Sequence, residues 1–130
     1  MIVLSSIVFN SNQLGDVRVI MQDGEPWFVG KDVAEILGYT YTANAIRDNV
    51  DKEDKQIVKN GAGLHFEIPT RGLTIINESG LYSLILSSKL PSAKAFKRWV
   101  TSEVLPAIRN IKHTTATIQP HRKQIGNTRV

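Results

Sequence analysis

The stretch KDVAEILGYTYTANAIRDNV, residues 31–50, decides how this chain is read. Val33, Ile36 and Leu37 recur at three- and four-residue steps on one side of a short helix, which Gly38 can end in the left-handed conformation. Past a Gly-Tyr-Thr turn, Thr40 or Thr42 is expected to cap a second helix. That helix would carry Ala43, Ile46 and Val50 inward and Asn44, Arg47 and Asp48 toward the other side. Two such helices form either an ordinary helical hairpin or a helix-turn-helix. In a helix-turn-helix, a small residue such as Ala34 lets the second helix approach and a glycine such as Gly38 takes the turn. Tyr41, Thr42, Asn44 and Arg47 would then be the side chains able to reach base edges or phosphates.

Working outward, the chain ahead of this pair has the two-residue period of strands. Val3 to Phe9 and Val17 to Met21 read as a hairpin around an Asn-rich turn. Asp23-Gly24 marks a second turn before a short strand from Trp27 to Val29. Beyond the pair, a charged turn is expected at residues 51–55. Strands follow near Gln56 to Lys59, Leu64 to Ile68 and Leu73 to Asn77, with an Asn60-Gly61 hairpin turn. Leu81, Leu84 and Ile85 then place a helix over Glu78 to Ser87, with Asn77 or Ser79 as its N-cap. In LPSAKAFKRWVTSEVLPAIRNI, residues 90–111, Ala93, Phe96, Val100, Val104, Ala107 and Ile111 keep helical spacing, and Pro91 is tolerated in the first turn. Pro106 removes a donor from the interior of this long helix, so a kink or break near Ser102 is expected. These elements predict an α+β fold: small antiparallel β-sheets or hairpins, a helix-turn-helix-like pair and a long C-terminal helix, all within residues 1–111. Residues 112–130 lose periodicity and read as a basic flexible tail or linker.

Charge and composition exclude more than they specify. The chain of 130 residues has 42% hydrophobic and 22% charged residues, a globular balance for one domain, and it contains no cysteine to form disulfides or thiolate metal sites. The formal charge of +4 is uneven: residues 1–108 hold 11 Lys and Arg against 12 Asp and Glu. The basic excess therefore sits in Arg109, Lys112, Arg122, Lys123 and Arg129, and any grip on a polyanion by the body must come from a local patch. MIVLSSIVFN has neither the basic start nor the cleavage site of a secretory leader and is too short to span a bilayer. A cytoplasmic protein, in a bacterial host cell, is expected.

No catalytic constellation is apparent. His65, His113 and His121 are widely spaced, no glycine-rich loop leads into Lys and Ser/Thr, and Asp51, Glu53 and Asp54 read as a solvated charged turn. No enzyme activity, cofactor or metal is expected. Lys89, Lys94, Lys97 and Arg98 lie opposite the apolar stripe of the long helix and read as a solvated face, while Trp27, Trp99 and Phe96 read as core.

Taken together, PWFVGKDVAEILGY, AIRDNVDKEDK and TIINESGLYSLILSSKLPSAKAFKRWVTSEVLPAIR resemble the N-terminal domain of the BRO family, found in phage antirepressors and in proteins of large DNA viruses. The family's block around Trp27, Phe28, Asp32, Val33, Ala34, Leu37, Gly38 and Tyr39 is matched. So are the blocks at Asn77 to Ile85 and Phe96 to Arg109. The resemblance implies an α+β domain with DNA-binding capacity and no enzymatic activity, usually placed ahead of a variable C-terminal domain in phage or prophage regulators.

The expected function is thus a regulatory module that binds double-stranded DNA through Lys31, Tyr41, Thr42, Asn44 and Arg47, with Lys52 and Lys55 on phosphates. A homodimer would supply the contacts that one small module lacks. The alternative, motivated by the near-neutral body, is a protein-interaction module that inactivates a phage or host repressor by direct binding without DNA contact.

Overall fold

In the computed structural model, residues 5–59, 64 and 66–113 are described. Five strands form one antiparallel sheet in the order β1-β2-β3-β5-β4: β1 Ser5–Ser11, β2 Gly15–Gln22, β3 Glu25–Val29, β4 Lys55–Val58 and β5 Leu73–Ile76. The first three strands make a meander. Gln22 pairs with Glu25 across Asp23 and Gly24, both with positive φ, which is the type I′ geometry that follows the twist of the sheet. β3 then runs without a break into α1, Gly30–Ile36.

The two expected β units are a single sheet. Their junction is short, Phe28 opposite Ile76 and Val29 opposite Ile75, and it joins segments almost fifty residues apart. The expected strand from Leu64 to Ile68 does not form: Leu64, Phe66, Glu67 and Ile68 are not in a ladder. The Asn60-Gly61 turn and His65 lie outside the described residues. β4 pairs directly with β5, Lys55 opposite Ile76 through Val58 opposite Leu73.

Strand alternation divides the apolar residues between two faces. Phe9, Val17, Val19, Met21, Phe28 and Ile76 point into the main core beneath the helices. Ile20, Val29, Val58, Leu73 and Ile75 point the other way, where Trp27, Leu64, Phe66 and Ile68 pack over them. The segment that fails to become a strand therefore serves as a cover for the second face. Both faces of the sheet are buried, which one amphipathic hairpin does not predict.

The remaining helices are α2 Thr42–Asn49, α3 Glu78–Ser87, α4 Ser92–Trp99 and α5 Leu105–His113, with a 3-10 turn at Lys52–Asp54 and a π turn at Val100–Val104. Asn77 caps α3, its side-chain oxygen accepting from Gly80 N at 2.9 Å. The long helix is broken where its proline demands. Pro106 offers no N–H and its ring crowds the carbonyl four residues back, and one turn of wider π winding relieves both. Leu105 N donates to Val100 O, five residues back. The carbonyls before the turn also accept from side chains: Thr101 Oγ1 donates to Lys97 O at 2.9 Å and Ser102 Oγ to Arg98 O at 2.6 Å. Ala93, Phe96, Val100 and Val104 are buried as the spacing predicts, but beyond the wide turn Leu105 and Ile108 are buried while Ala107 is only partly so. Ile111 and the expected tail lie outside what is described of side chains or of chain. The helix itself runs on to His113, past the expected boundary at 111.

Candidate nucleic-acid interface

The helical pair is built by local geometry and then pinned from outside. α1 ends in a Schellman motif, with Tyr39 N donating to Ala34 O at 3.0 Å and Gly38 N to Glu35 O at 3.1 Å around Gly38 at φ +84°. Leu90 lies against Gly38 so closely that a Cβ would come within 2.6 Å of its Cγ. Tyr39 OH donates to Leu84 O and Ser88 Oγ to Leu37 O, both at 2.8 Å, so the turn is fastened to α3 and to the link beyond it. A second fastening is at the start of α1. Arg18 in β2 donates to Asp32 from its backbone N at 3.0 Å and from Nε and Nη2 at 2.8 Å each. Hydrogen bonding to Asp32 raises the Arg18 guanidinium above its ordinary pKa; desolvation opposes this and the charges of Asp32 and Glu35 add to it. The guanidinium also lies 5.2 Å from the centroid of the Phe66 ring.

On α2 the inward residues are Ala45, Ile46 and Val50. Ala43 is exposed rather than buried as expected, and neither Thr40 nor Thr42 caps the helix: Tyr41 holds the N-cap position without a side-chain bond. Ile46 reaches across to the start of α1, where β3 ends, since a Cβ on Gly30 would lie 2.6 Å from Ile46 Cδ1. This close approach sets α2 beside the outer strands.

Between α2 and those strands runs an open groove of about 470 Å³, lined by Ala43, Ile46, Arg47, Lys52, Lys55, Gln56, Ile57 and Thr74. It gathers Arg47, Lys52 and Lys55 from a helix, a turn and a strand. None of the expected contact residues is buried: Lys31, Tyr41, Asn44, Arg47 and Lys52 are exposed, and Thr42 and Lys55 are partly so. Lys31, Tyr41, Thr42 and Asn44 do not line the groove, though Asn44 shares the outer surface of α2 with Arg47. Asp48 holds Arg47 Nε at 3.2 Å, but both side chains are about two-thirds exposed, 67% and 63%, and a surface pair of this kind yields readily to a polyanion.

The residues that line the groove include no Asp or Glu. Asp54, expected as a solvated charge, is a strut: its Oδ1 accepts from Asn77 Nδ2 at 3.1 Å, and its backbone O accepts from Asn77 N at 3.0 Å. This anchors the 3-10 turn, and with it Lys52 and Lys55, to the start of α3. The apolar members of the groove, Ile57 above all, carry no mark in the sequence that separates them from core residues. Among the described residues there is no group of three or more His, Asp or Glu able to hold a metal ion, and no helix is long and apolar enough to cross a membrane.

Against known families, residues 16–106 match the model of the BRO family, N-terminal domain. The chain belongs to the BRO family. Its relatives include a bacterial protein and several viral ones. An uncharacterized protein of Haemophilus influenzae is 42% identical over 106 residues, which cover 78% of this chain and 48% of that protein. A putative Bro-N domain-containing protein of Invertebrate iridescent virus 6 is 37% identical, over 75% of this chain and 27% of its own length. An uncharacterized Bro-N domain-containing protein of Autographa californica nuclear polyhedrosis virus is 35% identical, over 69% and 31%. The chain thus spans between about a quarter and about half of these relatives. No solved structure matches it. In this BRO domain, Asp32, Gly38 and Tyr39 of the first motif and Asn77 of the third are fold residues by their contacts. The cationic groove draws on the middle motif.

Proposed function

We propose that this BRO domain is the DNA-binding regulatory module of a phage or prophage antirepressor-like protein, without enzymatic activity of its own. The observation that carries the reading is the convergence of Arg47, Lys52 and Lys55 on one open groove beside α2, in a body that otherwise has no excess of positive charge. Lys52 and Lys55 meet phosphates. Arg47 stands at the rim with Asn44 a turn away, where a guanidinium contact to guanine would contribute about 1–3 kcal/mol of base discrimination. Lys31, Tyr41 and Thr42 extend the same contact along the helical pair.

The test is double-stranded DNA binding measured across salt. Each phosphate contact adds about 0.9 to the slope of log affinity against log salt, so replacing Lys52 and Lys55 with alanine should flatten the slope by roughly 2. An unchanged low-salt gel shift for Arg47→Ala with Lys55→Ala rules the site out. The second reading, inactivation of a repressor protein by direct contact, is supported by the near-neutral charge of residues 1–108. DNA binding that disappears on removal of residues 112–130, together with capture of a phage repressor by the shortened chain, decides for it.

A further inference from the structure

We propose that Ile57 is the apolar contact of this groove: a nucleic-acid strand whose phosphates meet Lys52 and Lys55 beside Arg47 lays the apolar face of a sugar or a base edge on its side chain. The inference rests on the nucleic-acid reading above and adds a residue and a kind of contact to it.

Ile57 lies on β4, the outermost strand on its side of the sheet, directly opposite Thr74. Alternation puts Ile57 on the same face as Lys55, Thr74 and Ile76. That is the face the helices cover, and Ile76 is fully buried beneath them. The cover ends at α2. Ile46 reaches as far as Gly30, and beyond it Ile57 is 60% exposed while its chain neighbour Val58 is 7% exposed. The result is an apolar floor of Ala43, Ile46 and Ile57 with three cations around it.

A phosphate needs only the cations. The floor adds contact area that phosphate cannot use and that the flank of a sugar or base can, as with the apolar side chains that meet thymine methyls or base steps in DNA complexes. The charge around the floor selects a polyanion as its occupant. The Gln56 side chain does not add base reading, because its amide is engaged with Gln22, at 3.0 and 3.4 Å. Contact through Ile57 is therefore tolerant of sequence.

The experiment compares the full chain with Ile57→Thr, which keeps a β-branched residue in the strand, and with Ile57→Ser. The probes are a pool of random-sequence duplexes and heparin, a polyanion without bases. Each variant is melted first to confirm its fold. The expected result is an affinity for duplex about five- to twentyfold lower, with the salt slope and the heparin affinity unchanged, because apolar area is lost and no charge is removed. Equal losses on duplex and heparin, or no loss on either, overturn the inference. So does unchanged duplex binding with lost capture of a repressor protein, which would assign the floor to a protein partner. Failure of the nucleic-acid reading looks different: the alanine variants of Lys52 and Lys55 would then leave the slope as it was. A wild-type chain that binds neither probe at low salt overturns both.

Discussion

Replacing Asp32 with asparagine should unfold this domain several degrees earlier without altering its interaction with polyanions. The carboxylate accepts three hydrogen bonds from Arg18, and the two side chains are only 28% and 11% exposed. Hydrogen bonds to charged groups contribute about 1.5–3 kcal/mol each, and severing a fully buried pair costs about 3–5 kcal/mol. With the guanidinium more than a quarter exposed, a loss of about 2–3 kcal/mol is expected. An asparagine at this position turns an NH2 toward donors that need an acceptor, so the isosteric change does not soften the effect. For a chain of this size the loss corresponds to a Tm lower by roughly 6–12 °C.

A double-mutant cycle with Arg18→Met, read by urea denaturation, should give a coupling of about 1.5–2.5 kcal/mol. The contribution should be flat from weakly acidic to moderately alkaline pH. Arg18 is a group whose pKa is raised on folding, so what it adds is complete below its unfolded pKa and is lost only as pH climbs through the folded one, far above that range. A coupling under about 0.5 kcal/mol, or a flattened salt slope in Asp32→Asn at unchanged stability, would refute the assignment of this pair to the fold.

Three further outcomes follow from the same contacts. Gly38→Ala should cost about 2–4 kcal/mol in chemical denaturation, because the left-handed backbone disfavours a side chain and the new methyl strikes Leu90. Stability should be level up to about pH 9 and fall above about pH 10: desolvation raises the pKa of Tyr39 and Tyr82 in the folded state, so unfolding releases protons there, and Tyr39→Phe should shrink that fall while losing the bond to Leu84 O. Asn77→Ala should cost about 1–2 kcal/mol from the cap of α3 and, by freeing Asp54, should also weaken duplex binding, measured on the folded variant at low temperature.

How much of this was legible in the chain depends on the range of the interaction. Asp23-Gly24, Gly38 and Asn77 act within a few residues, and their turn and caps can be read directly. The break at Ser102 was legible too, since Pro106 acts on the carbonyl four residues before it. The joining of two β units into one sheet was not, because it rests on two residue pairs between β3 and β5 that no local pattern announces. Leu64 to Ile68 has strand-like composition but covers a sheet face instead of extending an edge. Ala43 faces out and Ala45 in because an eight-residue helix is too short for its phase to be set by two or three apolar positions. At the groove, Arg47, Lys52 and Lys55 could be named from their charge, whereas Ile57 could not: exposure of an isoleucine depends on where α2 stops.

The wide turn at Val100–Val104 makes α5 a segment whose azimuth is set by one spare residue. Shortening that turn by a single position would restore regular winding and swing everything after it by about a quarter of a revolution, taking Leu105 and Ile108 off their seats. The bearing on which the chain leaves this domain is therefore a discrete quantity, stepped by insertion or deletion and not by gradual bending.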